Sequence, residues 1–126
     1  MDARIDPLAA LGLSLGDAHV LRNGGGRVTD DVLRGLALSV HAFGVDTVVV
    51  MQHTGCGLAG VTDDELRERT GADVPFHVIA NHESALREDV ERIATTSFLG
   101  PVRTVRGALY DLGAGRVDDL VRWERV

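Results

Sequence analysis

Thr47-Val48-Val49-Val50-Met51 is the segment that most limits what this chain can become. It is a continuous β-branched run of strand length, with no polar residue alternating into it. A strand that is apolar on both sides must be covered on both sides. That is the pattern of a parallel sheet, where helical crossovers pack on the faces, rather than of a half-solvated antiparallel one. The segments around the run supply those helices. Asp6-Pro7 opens a short helix that ends at Gly12, with aspartate as N-cap and proline in the first turn. Thr29 caps a longer helix with Asp30 and Asp31 in its positive first turn; Val32, Leu36 and Val40 fall at i, i+4 and i+8 with Leu33 and Ala37 beside them, and Gly44 ends it.

Thr62 and Glu65 form a capping box that opens another helix, closed by Gly71. Ala72 to Ala80 reads as a loop. Asn81 then caps a helix whose core face is Leu86, Val90, Ile93 and Ala94, ended by Gly100-Pro101. Ala18 to Leu21 reads as a short strand and Val102 to Leu112 as a longer one. After the Gly113-Ala114-Gly115 turn, Arg116 to Trp123 returns as an antiparallel edge strand. The expected fold is therefore α/β, a mostly parallel central sheet flanked by helices with an antiparallel C-terminal edge strand. It forms a single domain over residues 1–126, since that length suits one hydrophobic core. Ligands of such sheets gather beyond the carboxyl ends of the strands.

Composition narrows the partners. Nineteen acidic against 13 basic side chains give a net charge of −6, which argues against nucleic acid or an anionic membrane. No apolar run reaches the ~20 residues of a bilayer span. One cysteine cannot form an internal disulfide, so a reducing, cytoplasmic setting is expected.

Three places carry possible chemistry. His53-Thr54-Gly55-Cys56 follows the central strand at its carboxyl end, and an imidazole with a thiolate favours zinc; the plain alternative is a buried structural cysteine beside a histidine in an ordinary turn. Asp2-Ala3-Arg4 places a carboxylate and a guanidinium on one face of an extended backbone, where arginine would keep Asp2 ionised; the alternative is a solvated ion pair with no further role. Arg22-Asn23-Gly24-Gly25-Gly26 lies between a strand and a helix, where glycines admit a close backbone approach. It matches neither G-x-G-x-x-G nor a P-loop, and a simple turn explains it locally. His19, His41, His77 and His82 have no ligand spacing and read as surface or satisfied core residues. Arg67 and Arg69, among Asp63, Asp64, Glu65 and Glu68, read as a solvated helix face.

Taken together, in this order and spacing, Asp2-Ala3-Arg4, Arg22-Asn23-Gly24-Gly25 and His53-Thr54-Gly55-Cys56-Gly57 resemble the β-class carbonic anhydrases, most closely the small bacterial members. Gly16-Asp17-Ala18-His19-Val20, Val28-Thr29-Asp30-Asp31-Val32 and Arg106-Gly107-Ala108-Leu109-Tyr110-Asp111 extend the resemblance over nearly the whole chain. It implies reversible hydration of carbon dioxide to bicarbonate by a zinc-bound hydroxide. His53 and Cys56 would be zinc ligands, with Asp2 a further ligand in a closed state. Asp2 and Arg4 would form the catalytic dyad, and Asn23, Gly24, Gly25 and Gly57 are candidates for the substrate pocket. A homodimer or higher homo-oligomer is implied as well.

In one respect the chain departs from the family pattern. The family's first zinc cysteine stands immediately before the position of Met1, at the end of a central strand, and Cys56 is the only cysteine here. The resemblance therefore implies that the N-terminal arm, that strand and that cysteine lie upstream of an internal or misassigned Met1. Two further readings stay open: a catalytically impaired relative kept for binding or dimerisation, and a zinc hydrolase of a carbon dioxide analogue such as carbon disulfide or carbonyl sulfide.

Overall fold

The computed structural model describes all residues, Met1–Val126. Seven regular elements follow one another: α1 (Pro7–Ala10), α2 (Asp30–Phe43), β1 (Thr47–His53), α3 (Asp63–Thr70), α4 (His82–Thr95), β2 (Thr104–Asp111) and β3 (Arg116–Glu124). Short 3-10 turns lie at Gly24–Gly26, Gly57–Ala59 and Ser97–Leu99. The sheet order is β1-β2-β3. β1 and β2 are parallel, in register from Thr47 opposite Thr104 to His53 opposite Tyr110, and β2 and β3 are antiparallel with a bulge between Gly107 and Ala108.

The helix ends form where side chains can satisfy their orphan amides. Asp6 accepts from the amides of Leu8 and Ala9, Thr29 from Val32 and Asn81 from Ser84; Thr62 and Glu65 make the full reciprocal capping box. Gly44 and Gly71 stop α2 and α3 in the left-handed conformation. One cluster of twelve buried apolar residues joins α2, α4, β1 and β2 and includes Leu33, Leu36, Val40, Val48, Leu86, Val90, Leu99 and Val105. At ~1.5–3 kcal/mol for each buried aliphatic side chain, this cluster is the main source of stability.

Several expectations shift. β1 is not covered on both sides: Val48, Val50 and Gln52 are buried, Thr47 is exposed, and Val49, Met51 and His53 are only half-covered. The core face of α4 turns slightly, with Ala85 and Asp89 buried and Ala94 half-buried. The long C-terminal strand begins at Thr104, because the Val102 amide bonds back to Leu99 across the preceding turn. Ala18–Leu21 is not a strand. None of its backbone groups has a hydrogen-bond partner, and it runs along a cavity of about 790 Å³ whose other wall is β1. The strand expectation counted β-branched and apolar residues, but a strand also needs a neighbour to pair with, and β1 pairs on its β2 edge only.

Candidate active site

The site lies beyond the carboxyl end of β1. β1 ends in His53, and the turn that follows is fastened to β2: the Thr54 amide donates to the Tyr110 carbonyl at 3.0 Å, and the Thr54 hydroxyl accepts from the Leu112 amide at 3.0 Å. Gly55, at φ 66°, then reverses the chain and leaves Cys56 buried at the start of the Gly57–Ala59 turn.

Asp2 is brought to His53 from the far end of the chain. Its Oδ1 accepts from the Arg4 amide and Nε, both at 2.9 Å, and its Oδ2 from Arg4 Nη2 at 2.6 Å. Arg4 Nη2 also donates to the Gly55 carbonyl at 3.3 Å, and Arg22 Nη2 donates to the Asp2 carbonyl at 2.6 Å. The carboxylate so fixed stands 3.4 Å from His53 Nε2. Hydrogen bonds from Arg4 hold the Asp2 carboxyl far below the usual carboxylate range, so it is ionised at any ordinary pH. Burial pushes the His53 imidazole down, against the upward pull of Asp2, and His53 is neutral near pH 7.

The glycine corner forms the neighbouring wall. Asn23 closes it on itself: its Nδ2 donates to the Arg27 carbonyl at 2.7 Å and its Oδ1 accepts from the Arg27 amide at 2.9 Å. Gly26, at φ 63°, lies so close to β1 that a Cβ there would stand 2.3 Å from the Met51 carbonyl oxygen, which no side chain tolerates. Asp2, Asn23, Gly24, Gly25, His53, Cys56 and Gly57 all line the one cavity. The structure therefore gathers these seven candidate residues around one cavity, with Arg4 bonded to Asp2 and outside the lining. The Asn23 side chain is fully engaged in shaping its loop, however, and is not free toward a ligand.

The donor types are those of a zinc site: a buried thiol, an imidazole and a carboxylate. His53 Nδ1 is buried and has no hydrogen-bond partner, and Nε2 is the ring nitrogen that faces Asp2. His53 and Cys56 fit two positions of such a site in kind and location. A third does not converge: no group of three His, Cys, Asp or Glu side chains stands where one ion could be held.

The carbonic anhydrase family model matches residues 1–104. The chain belongs to the carbonic anhydrase family. It is similar to beta-carbonic anhydrase 1 of Mycobacterium tuberculosis, 32% identical over 126 residues that span 95% of this chain and 77% of that protein. It is also similar to the carbon disulfide hydrolase of Saccharolobus solfataricus, 44% identical over 66 residues covering 52% of this chain and 32% of that one. Among solved structures, the carbonic anhydrase of Streptococcus mutans superposes with a TM-score of 0.85 at 37% identity, over 96% of this chain and 77% of that one. The α/β fold with its mixed sheet is that of this carbonic anhydrase.

Some of the site's supports were missed in the sequence. Arg22 stands in the glycine motif and Thr54 between His53 and Cys56, with nothing in either motif that marks a supporting bond. Their partners, Asp2 and Leu112, lie 20 and 58 residues away, and no local pattern announces such pairs. Three of the histidines set aside have ring partners, His19 Nδ1 with Ser39 Oγ, His41 Nε2 with the Phe98 carbonyl and His82 Nδ1 with Gln52 Oε1, and His77 is exposed.

Proposed function

We propose that this chain catalyses the reversible hydration of carbon dioxide with zinc held by His53 and Cys56. The observation that carries the reading is the Asp2 carboxylate, locked by Arg4 and held 3.4 Å from His53 Nε2 beside a buried Cys56. Zinc, when bound, supplies hydroxide at neutral pH by lowering the pKa of water to ~7. Asp2 does the rest of the positioning. Always ionised, its Oδ2 would accept a hydrogen bond from a hydroxyl bound beside it and so orient an oxygen lone pair toward the substrate carbon. Arg4 stabilises the carboxylate so strongly that Asp2 would orient that hydroxyl without removing its proton at neutral pH. Arg4 fixes both Asp2 oxygens in one plane and ties them to Gly55. The neutral His53 ring is in the form that can donate a nitrogen lone pair. The glycine corner leaves room for a small apolar substrate.

Zinc content and carbon dioxide hydration, measured on the same preparation, test this. The chain should retain zinc and hydrate carbon dioxide above the buffer rate. His53→Ala should lose the metal, and Asp2→Asn should keep it while losing about 100-fold or more in rate. Zinc retained in His53→Ala, or a zinc-loaded chain with no hydration, would overturn the assignment.

The 44% identity to a carbon disulfide hydrolase favours a second substrate reading, carbon disulfide, which release of hydrogen sulfide would reveal. Exposed Val20, Leu21, Leu38 and Phe43 support a homo-oligomer as part of the same proposal. The lone Cys56, unpaired, supports a reducing, cytoplasmic setting. No helix is long and apolar enough to cross a membrane.

A further inference from the structure

Arg27 and Asp89 are the only charged residues buried in this molecule, at 6% and 2% exposure. Taking two charges out of water is costly, and their attraction offsets it only with good geometry and further hydrogen bonds. Asp89, on α4, takes a forked pair from Arg27, Oδ2 from Nε at 2.8 Å and Oδ1 from Nη2 at 3.2 Å. Glu88 adds a contact to Nη2 at 3.3 Å from the exposed rim.

The remaining nitrogen does something else. Arg27 Nη1 donates to the carbonyls of His77, at 2.9 Å, and Val78, at 3.2 Å. Both belong to the irregular loop between α3 and α4. His77 is the only non-glycine residue with a left-handed backbone, at φ 56°, a conformation that persists when its surroundings enforce it. The next residue, Ile79, is 2% exposed; its amide donates to the Leu58 carbonyl at 3.2 Å, and its side chain forms a small separate core with Cys56, Ala85 and Leu58. Gly25 completes the enclosure, since a Cβ there would stand 2.8 Å from Leu58 Cδ2 and 3.0 Å from Ile79 Cδ1.

We propose that Arg27, fixed by Asp89, is a positioning residue that clamps the His77–Val78 carbonyls and so presses Ile79 over Cys56, keeping its thiol covered at the edge of the candidate site. The guanidinium suits this task because its planar fork serves a carboxylate and two carbonyls at once. A lysine ammonium in its place has no such fork. The significance of the clamp rests on the reading of Cys56 as a metal ligand. Its test uses no metal, so the two can fail separately.

Cys56 is the single cysteine of the 126 residues, and the rate at which an aromatic disulfide reagent modifies this chain, metal-free, therefore reports on this thiol alone. Removing one partner of a buried pair risks unfolding, so the main variant removes both charges together, Arg27→Met with Asp89→Leu. With far-UV circular dichroism unchanged, it should react at least tenfold faster than the unaltered chain. Arg27→Lys, which keeps the charge but not the fork, should also react faster, as should Ile79→Ala with the ion pair intact. Leu99→Ala, destabilised in the main core away from Cys56, should not. A folded double variant that reacts at the original rate would overturn the proposal. An equal acceleration in Leu99→Ala would do so too, because the rate would then track global stability rather than the clamp.

Discussion

The two edges of β1 are built differently. On one edge all seven residues lie in parallel register with β2, and behind them Leu86, Leu99, Val102 and Val105 are fully buried. On the other edge β1 faces a cavity, and across it Ala18–Leu21 has no backbone partner at all. The difference teaches where stability and chemistry reside. The closed edge holds the sheet together, while the open one carries Asp2, the glycine corner and half-covered His53. The largest expected effect of the contrast is energetic. Leu99→Ala should cost about 2–5 kcal/mol, and Leu21→Ala, half-exposed, less than about 1 kcal/mol. Denaturant midpoints of the two variants check this, and equal losses would break the comparison.

A second prediction sharpens it. Amides at Ala18–Leu21 should exchange with solvent near the rate of unstructured peptide, and those of Val105–Ala108 many-fold more slowly. Seven residues matching β1 span about 23 Å at ~3.3 Å each. Met1 and Asp2 sit at the cavity's far end, between Asn23 and His53. Seven alternating valines and isoleucines fused ahead of Met1 should therefore fill the open edge parallel to β1 and protect the Ala18–Leu21 amides. A glycine–serine fusion of equal length should not. Equal exchange in the two fusions would show that the open edge does not accept a strand.

The same contrast explains what was legible in the sequence. Helix ends were legible because a cap is a local event: Thr62 and Glu65 are three residues apart and satisfy each other. β1 and its parallel pairing were legible from the β-branched run, although the cover expected on both of its faces is complete on one only. The candidate site was legible as three motifs, and the structure brings all three to one cavity. What could not be read is long-range. The Arg27–Asp89 pair spans 62 positions, and the open edge of β1 is a property of a neighbour rather than of the strand itself. Ala18–Leu21 has the composition of a strand and lacks only something to pair with.

The smallest expected effect distinguishes the two faces at the end of β1, where Gln52 and His53 point to opposite sides. His82 bonds Gln52 on the buried face, and burial alone pushes its imidazole down. His53, toward the cavity, is also pushed down by burial and further by the N-terminal ammonium, Arg4 and His82, but Asp2 pulls it back up. Both rings therefore bind protons less readily folded than unfolded, and both contribute stability that is present above pH ~6.5 and lost as pH falls through their lowered values. In metal-free chain the denaturant midpoint should be lower at pH 5.5 than at pH 7.5. Removing the Asp2 charge should affect only one ring. In Asp2→Asn, with a neutral amide in place of the carboxylate, the His53 titration followed by NMR should move further down, while that of His82 stays where it was. Parallel movement of the two rings would mean that the Asp2 charge reaches across the strand to His82 as strongly as it reaches His53.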